Sequence, residues 1–99
     1  MLFYIYILHS NKSDKFYIGY TSNIHLRVFQ HNFGAKLSYT HKHRPWKLKA
    51  LFCCGNSKSD AITIENFIKK QKSKTFIKKI IDHEILTTVF PKLVRVKFC

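Results

Sequence analysis

Apolar and polar positions alternate from Leu2 to His9, and the apolar run is rich in Tyr, Ile and Phe. That is the period and composition of a strand on a pleated sheet. Ser10 to Lys15 is polar and reads as a turn, and Phe16 to Tyr20 returns as the second strand of a hairpin. Thr21-Ser22-Asn23 offers capping side chains for a helix predicted from about Ile24 to Phe33, which Gly34 ends. A basic, histidine-containing loop covers Ala35 to Pro45. Trp46 to Cys54 is a third strand, and Gly55-Asn56-Ser57 a turn. Ser59 or Asp60 is placed to cap the next helix, Asp60 to Lys72, with Ile64, Phe67, Ile68 and Gln71 along one face. A short helix over Thr75 to Ile81 packs beside it. Val94 to Phe98 alternates apolar and basic residues and fits either a fourth strand or an ordered tail. The order β-β-α-β-α-α predicts an α+β domain, a small sheet with helices around it, without repeats or internal linkers.

Ninety-nine residues make one small domain, and an apolar fraction near half permits a compact core. Charge changes the picture more. The chain carries 18 Lys and Arg against 5 Asp and Glu, a formal net charge of +13. Such an excess repels itself in a free monomer and reads as a surface for a polyanion, nucleic acid first and an anionic membrane second. The cysteines, Cys53, Cys54 and Cys99, are odd in number and suggest reduced thiols rather than a disulfide framework. Phe3 to Leu8 is too short for a signal-peptide core, and no window approaches a membrane span. The expectation is a soluble, cytoplasmic protein.

Phosphodiester hydrolysis requires a deprotonated water, a neutralised pentavalent phosphate and a stabilised leaving oxygen. Glu65 is one of five acids in a basic chain and lies angularly between Ala61, Ile62 and Ile68 on its helix. It reads either as a ligand to Mg²⁺, which takes one or two carboxylates and fills its shell with water and phosphate, or as the partner of Lys69 at the i, i+4 spacing. Arg27 and His31 share a helix face. Arg27 has the planar fork that clamps a phosphate, and His31 suits a water or a phosphate oxygen. A solvated helix face containing both is the plainer alternative. Tyrosines in strands are ordinarily core residues with a satisfied hydroxyl. With a reference pKa near ~10, a tyrosine acting as a base at neutral pH needs positive charge nearby. Tyr17 precedes Gly19, whose missing side chain lets a substrate backbone come close.

Taken together, Tyr4-Ile5-Tyr6, Tyr17-Ile18-Gly19, Arg27 ten residues after Tyr17, His31 one turn on, and Glu65 on a later helix resemble the GIY-YIG nuclease superfamily. The likeness is greatest to its small stand-alone members, and runs from residue 2 to about 81. The first motif has Tyr4 where the family has glycine, as is usual in the small members. The second is intact. Tyr39-Thr40 and Arg44-Pro45-Trp46 also look like the small members. The resemblance implies a three-stranded antiparallel sheet flanked by helices over residues 1–82, with 83–99 as a C-terminal extension. It implies Mg²⁺- or Mn²⁺-dependent cleavage of DNA, with Tyr6, Tyr17, Arg27, His31 and Glu65 as the catalytic set and Glu65 holding the metal. Tyr17 or Tyr6 would be the base, Tyr17 preferred. Many catalytic members carry an Asn beyond the glutamate, whereas Ile77 to Ile80 here has none.

Large relatives attach a separate DNA-binding domain, for which residues 82 to 99 are too few, so the domain has to grip its own substrate. Lys69, Lys70, Lys72, Lys74, Lys78 and Lys79 cluster on the last helices, and Lys36, Lys42 and Arg44, with His41 and His43, on the loop. Such contacts position a nucleic acid without reading its sequence. Tyr39 and Trp46 are either stacking platforms for bases or core anchors. His41-x-His43 with Cys53-Cys54 fits no common zinc module. The leading expectation is a metal-dependent DNA endonuclease. Its rivals are a non-catalytic DNA- or RNA-binding module on the same fold and a structural protein of a ribonucleoprotein particle. Single-stranded, duplex and branched substrates and the oligomeric state stay open.

Overall fold

A computed structural model of the chain describes residues 1–34, 42–82 and 85–97. Strands β1 (Tyr4–Ser10), β2 (Lys15–Thr21), β3 (Trp46–Cys53) and β4 (Val94–Arg95) form one antiparallel sheet in the order β2-β1-β3-β4. The expected three-stranded sheet is therefore corrected to four. The added strand is two residues long and pairs Val94 and Arg95 with Cys53 and Phe52 at the edge. Helices α1 (Ile24–Phe33), α2 (Lys58–Lys70), α3 (Lys74–Asp82) and α4 (Ile85–Val89) complete the described elements.

Each helix boundary has a local cause. The Asn23 side chain accepts a hydrogen bond from the Leu26 amide at 3.1 Å and starts α1. Gly34 ends it in extended backbone, its N–H donating to the Gln30 carbonyl at 2.8 Å. A Cβ at Gly34 would lie 2.5 Å from that carbonyl oxygen, so the glycine is needed for close approach rather than for a left-handed turn. Ser57 caps α2 by accepting from the Asp60 amide, in place of the expected Ser59 or Asp60. Helix α4 was not anticipated in Ile85-Leu-Thr-Thr-Val89, where four of five residues are β-branched and helix propensity is weak. Packing decides there: Leu86 and Leu93, in the segment set apart as an extension, are buried in the same core as Ile5 and Phe52.

The sheet has two unlike faces. Ile5, Ile7, Ile18, Ala50 and Phe52 point to one, under Ala61, Ile64, Ile68, Ile80 and Leu86 from the C-terminal helices. Tyr6, Leu8, Trp46 and Leu51 point to the other, under Ile24 and Val28 of α1. In β3 the alternation breaks. Ile7 pairs with Ala50 but Leu8 pairs with Leu48, so Lys49 is an extra residue bulged out of the ladder. The bulge puts Trp46, Leu48 and Leu51 on one face although they are not in phase.

Tyr6 pairs across the ladder with Gly19, and its ring lies over that glycine. A Cβ there would come within 2.4 Å of the Tyr6 hydroxyl oxygen and 2.6 Å of Cζ. The space above Gly19, expected to admit a substrate backbone, is thus filled by the protein's own tyrosine. Gly19→Ala should cost about 1–3 kcal/mol through overpacking, measured by urea unfolding. In a Tyr6→Ala background the same change should cost less than half as much, because the clash has gone.

Candidate active site

Tyr6 is fully buried, and its hydroxyl gathers two side chains from α1. Arg27 donates from Nε to the phenol oxygen at 3.3 Å, and His31 brings Nε2 to 3.0 Å. Arg27 also donates from Nη1 to Gln30 Oε1 at 3.3 Å. The expected shared face of Arg27 and His31 is real, and its inner partner is Tyr6. Tyr17, partly buried on β2, completes an aromatic group. Its ring centroid is 4.7 Å from that of His31, 6.3 Å from Tyr6 and 6.2 Å from Trp46. These side chains meet because Tyr6 and Tyr17 lie on one face of neighbouring strands and α1 crosses that face.

Burial pushes the Tyr6 phenol up to about 12, although the Arg27 bond and charge pull it the other way. Tyr6 is therefore a protonated phenol at neutral pH. Burial, with the charges of Arg27 and Arg44, holds the His31 imidazole down to about 4, so this ring is neutral. Its Nδ1 is buried and has no hydrogen-bond partner among the described residues.

Glu65 approaches from α2, which packs along β2. Its side chain is 15% exposed and accepts from Lys69 Nζ at 3.0 Å, so the i, i+4 pair is formed. The carboxylate's charge is the smallest of the influences on Tyr6 and on Arg27, after burial for the first and the Tyr6 hydrogen bond for the second. Lys69 Nζ in turn stands 6.0 Å from the centre of the Tyr17 ring. As a donor set this is one hard carboxylate. It fits a Mg²⁺ or Mn²⁺ ion that takes the rest of its shell from water and substrate. It does not fit a protein-caged metal: among the described residues no three His, Cys, Asp or Glu side chains converge.

A groove of about 490 Å³ runs from Tyr17 between β2 and the α2–α3 turn, lined by Lys15, Lys69, Lys72 and Lys74 among others. Lys74 is partly committed, donating to the Asp14 carboxylate at 3.1 Å and to its carbonyl at 2.8 Å. Lys78 lines a separate hollow, with His9 and Lys49. Lys70 and Lys79 are exposed on their helices, and Lys42 is exposed ahead of β3. Lys36, Tyr39 and His41 lie outside the described residues. Trp46 is 2% exposed and anchors the core rather than a base.

Arg44 was expected among the phosphate contacts. Its guanidinium instead donates from Nε to the His31 carbonyl at 2.8 Å and from Nη2 to the Gly34 carbonyl. Beside it, Asn32 accepts from the Trp46 amide at 2.6 Å and donates to the Trp46 carbonyl at 3.1 Å. Together they tie the last turn of α1 to the start of β3 and so fix the backbone that carries His31. Sequence reading missed Asn32, which adjoins His31 without a periodic signal. It also missed Lys15, although Lys15 and Tyr17 are two apart in a strand and must share a face.

The chain matches the GIY-YIG catalytic domain over residues 2–80. The chain belongs to this family. Its relatives include a UPF0213 protein of Pediococcus acidilactici, 34% identical over 90 residues covering 89% of this chain and 90% of that one. A UPF0213 protein of Staphylococcus haemolyticus is 36% identical over 77 residues, covering 72% and 89%. One from Limosilactobacillus reuteri is 33% identical over 87 residues, covering 84% and 86%. The GIY-YIG motifs map onto the paired strands β1 and β2. No helix among the described residues is long and apolar enough to cross a membrane.

The His31 environment has a consequence for acid stability. Its ordinary value is 6.5 and its folded value about 4, so between these the unfolded chain binds the extra proton. Stability should be full above pH 6.5 and fall by about 1 kcal/mol per pH unit toward pH 4, with nothing further lost to this group below that. Urea midpoints at pH 7 and 4.5 check this, and His31→Gln, which cannot titrate, should flatten the difference.

Proposed function

We propose that the protein is a divalent-metal-dependent endonuclease that hydrolyses DNA phosphodiester bonds. The observation that carries the reading is the convergence of Tyr6, Tyr17, Arg27 and His31 on one sheet face, with Lys69, the ion-pair partner of Glu65, standing over the Tyr17 ring. Tyr17 is the base in this reading, because Tyr6 is wholly buried, strongly raised and already engaged by Arg27 and His31, whereas Tyr17 is partly open to solvent. In its phenolate form Tyr17 takes a proton from water. The water oxygen then bonds to phosphorus, and the bridging ester oxygen leaves. Arg27 faces the scissile phosphate with the guanidinium edge not used on Tyr6, and neutralises charge as the pentavalent state forms. Tyr6 and neutral His31 hold Arg27 and Tyr17 in place. Glu65 would hold a Mg²⁺ or Mn²⁺ ion, which supplies charge for the phosphate and the leaving oxygen. The rival reading, a non-catalytic nucleic-acid-binding module, draws on the Glu65–Lys69 ion pair, which occupies the carboxylate a metal needs.

Labelled DNA incubated with the protein in Mg²⁺, Mn²⁺ or chelator separates the two. Cleavage abolished by chelator supports the enzyme, and binding without cleavage in every condition supports the module. Glu65→Gln should abolish cleavage while DNA affinity stays equal or rises. Tyr17→Phe keeps the ring and its packing and should lower the rate roughly 10²–10⁴-fold, the usual worth of a general base. Full activity in both variants would refute the site.

The groove supplies the grip. If Lys15 and Lys72 each neutralise a phosphate, changing either to Ala should lower the slope of log affinity against log salt by about 0.7 to 0.9. A slope unaltered in the double variant would put the nucleic acid elsewhere.

A further inference from the structure

Helix α1 already has an inner side. Ile24 and Val28 pack on the sheet, His31 is buried, and Arg27 turns to Tyr6. At 3.6 residues per turn, Leu26, Phe29 and Phe33 gather on the opposite side of the helix. They are 52%, 58% and 71% exposed. The Phe29 and Phe33 rings lie together, with centroids 5.2 Å apart and planes 40° from each other. Single exposed apolar residues are ordinary, but paired phenyl rings one turn apart leave a continuous apolar patch in water. Between this patch and Arg27 stands Gln30, whose Oε1 accepts from Arg27 Nη1. Helix α1 contains no acidic residue.

We propose that Phe29 and Phe33 form a stacking platform for unpaired bases of single-stranded DNA, on the same helix as the phosphate-facing Arg27. The inference rests on the nuclease reading and deepens it by naming the form of the strand. Charge selects this occupant over a second copy of the chain. Two molecules of net charge +13 repel, and α1 has no carboxylate to offset that. A DNA strand brings the opposite charge together with flat apolar faces that stack on aromatic rings irrespective of sequence. Bases inside a duplex have both faces covered by their neighbours and cannot use the platform. A single strand is also flexible enough to bend around the helix from Arg27 to its far side.

The test uses the full chain in chelator, so that binding is read without cleavage. The probes are a labelled oligothymidylate and a blunt hairpin duplex, closed by a base-free ethylene-glycol loop, with the same number of phosphates. Phe29→Ala and Phe33→Ala should each weaken oligothymidylate binding on the order of tenfold, with hairpin affinity held within about twofold. Phe33→Tyr keeps a stacking face and should bind both probes like the parent. Circular dichroism confirms that the variants fold. Equal losses on both probes, or none on either, would overturn the platform. So would a parent dimer in sedimentation that Phe33→Ala dissociates while oligothymidylate affinity stays the same, since that gives the face to a second copy. A parent chain that binds neither probe removes the nuclease reading and the platform together. A parent that cuts DNA, with alanine variants that bind oligothymidylate normally, removes the platform alone.

Discussion

The hydroxyl of Tyr6 is the constraint around which this small domain is arranged. A phenol withdrawn completely from water must find hydrogen-bond partners inside the protein. Here they come from a helix, Arg27 on one side and His31 on the other. That requirement fixes the rotation of α1 on the sheet, and Gly19 supplies the hollow in which the ring lies. The same contacts that satisfy a buried polar atom therefore orient a guanidinium and an imidazole beside Tyr17. Stability and the candidate chemistry draw on one set of bonds.

The second constraint is electrostatic. Of the described acids, Asp14 pairs with Lys74 and His9, and Glu65 with Lys69. Asp14 is held down to about 2 by its bonds to His9 and Lys74. Most of the eighteen Lys and Arg have no acid to answer them, and they sit largely at the surface. Their mutual repulsion weakens the compact state in dilute buffer. Any polyanion that binds the folded chain removes part of that repulsion and stabilises it by mass action as well. A domain of this size, with a modest core, gains from such a partner more than a larger one does.

Much of this was readable from the chain because it rests on local rules. The alternation of Leu2 to His9 and Phe16 to Tyr20 located β1 and β2, and Asn23 and Gly34 bracketed α1 to the residue. The motif order Tyr6, Tyr17, Arg27, His31 pointed to a cluster that the fold does assemble. What escaped was set by tertiary contact. Strand β4 stayed open between a strand and a tail, because its two residues, Val94 and Arg95, owe their place to pairing with Phe52 and Cys53. Helix α4 runs against its own propensity. Gly19 looked like an opening for substrate because the ring above it comes from another strand. Arg44 looked like a free cation because the carbonyls it holds, those of His31 and Gly34, are invisible in a list of side chains.

The bulge at Lys49 gives β3 a property akin to a reading frame. Upstream of it Trp46 and Leu48 keep one phase, and downstream Ala50, Leu51 and Phe52 keep the other, so both faces are served by a single offset. A different side chain at position 49 leaves the phase intact, since this residue is exposed and outside the ladder. Loss of the residue leaves it intact too: Leu48 would adjoin Ala50 as Leu8 adjoins Ile7, so Trp46 and Leu48 would keep their layer in an unbulged, less twisted strand. The bulge thus absorbs one residue of length without disturbing either face, so related chains can differ here in count as well as in identity.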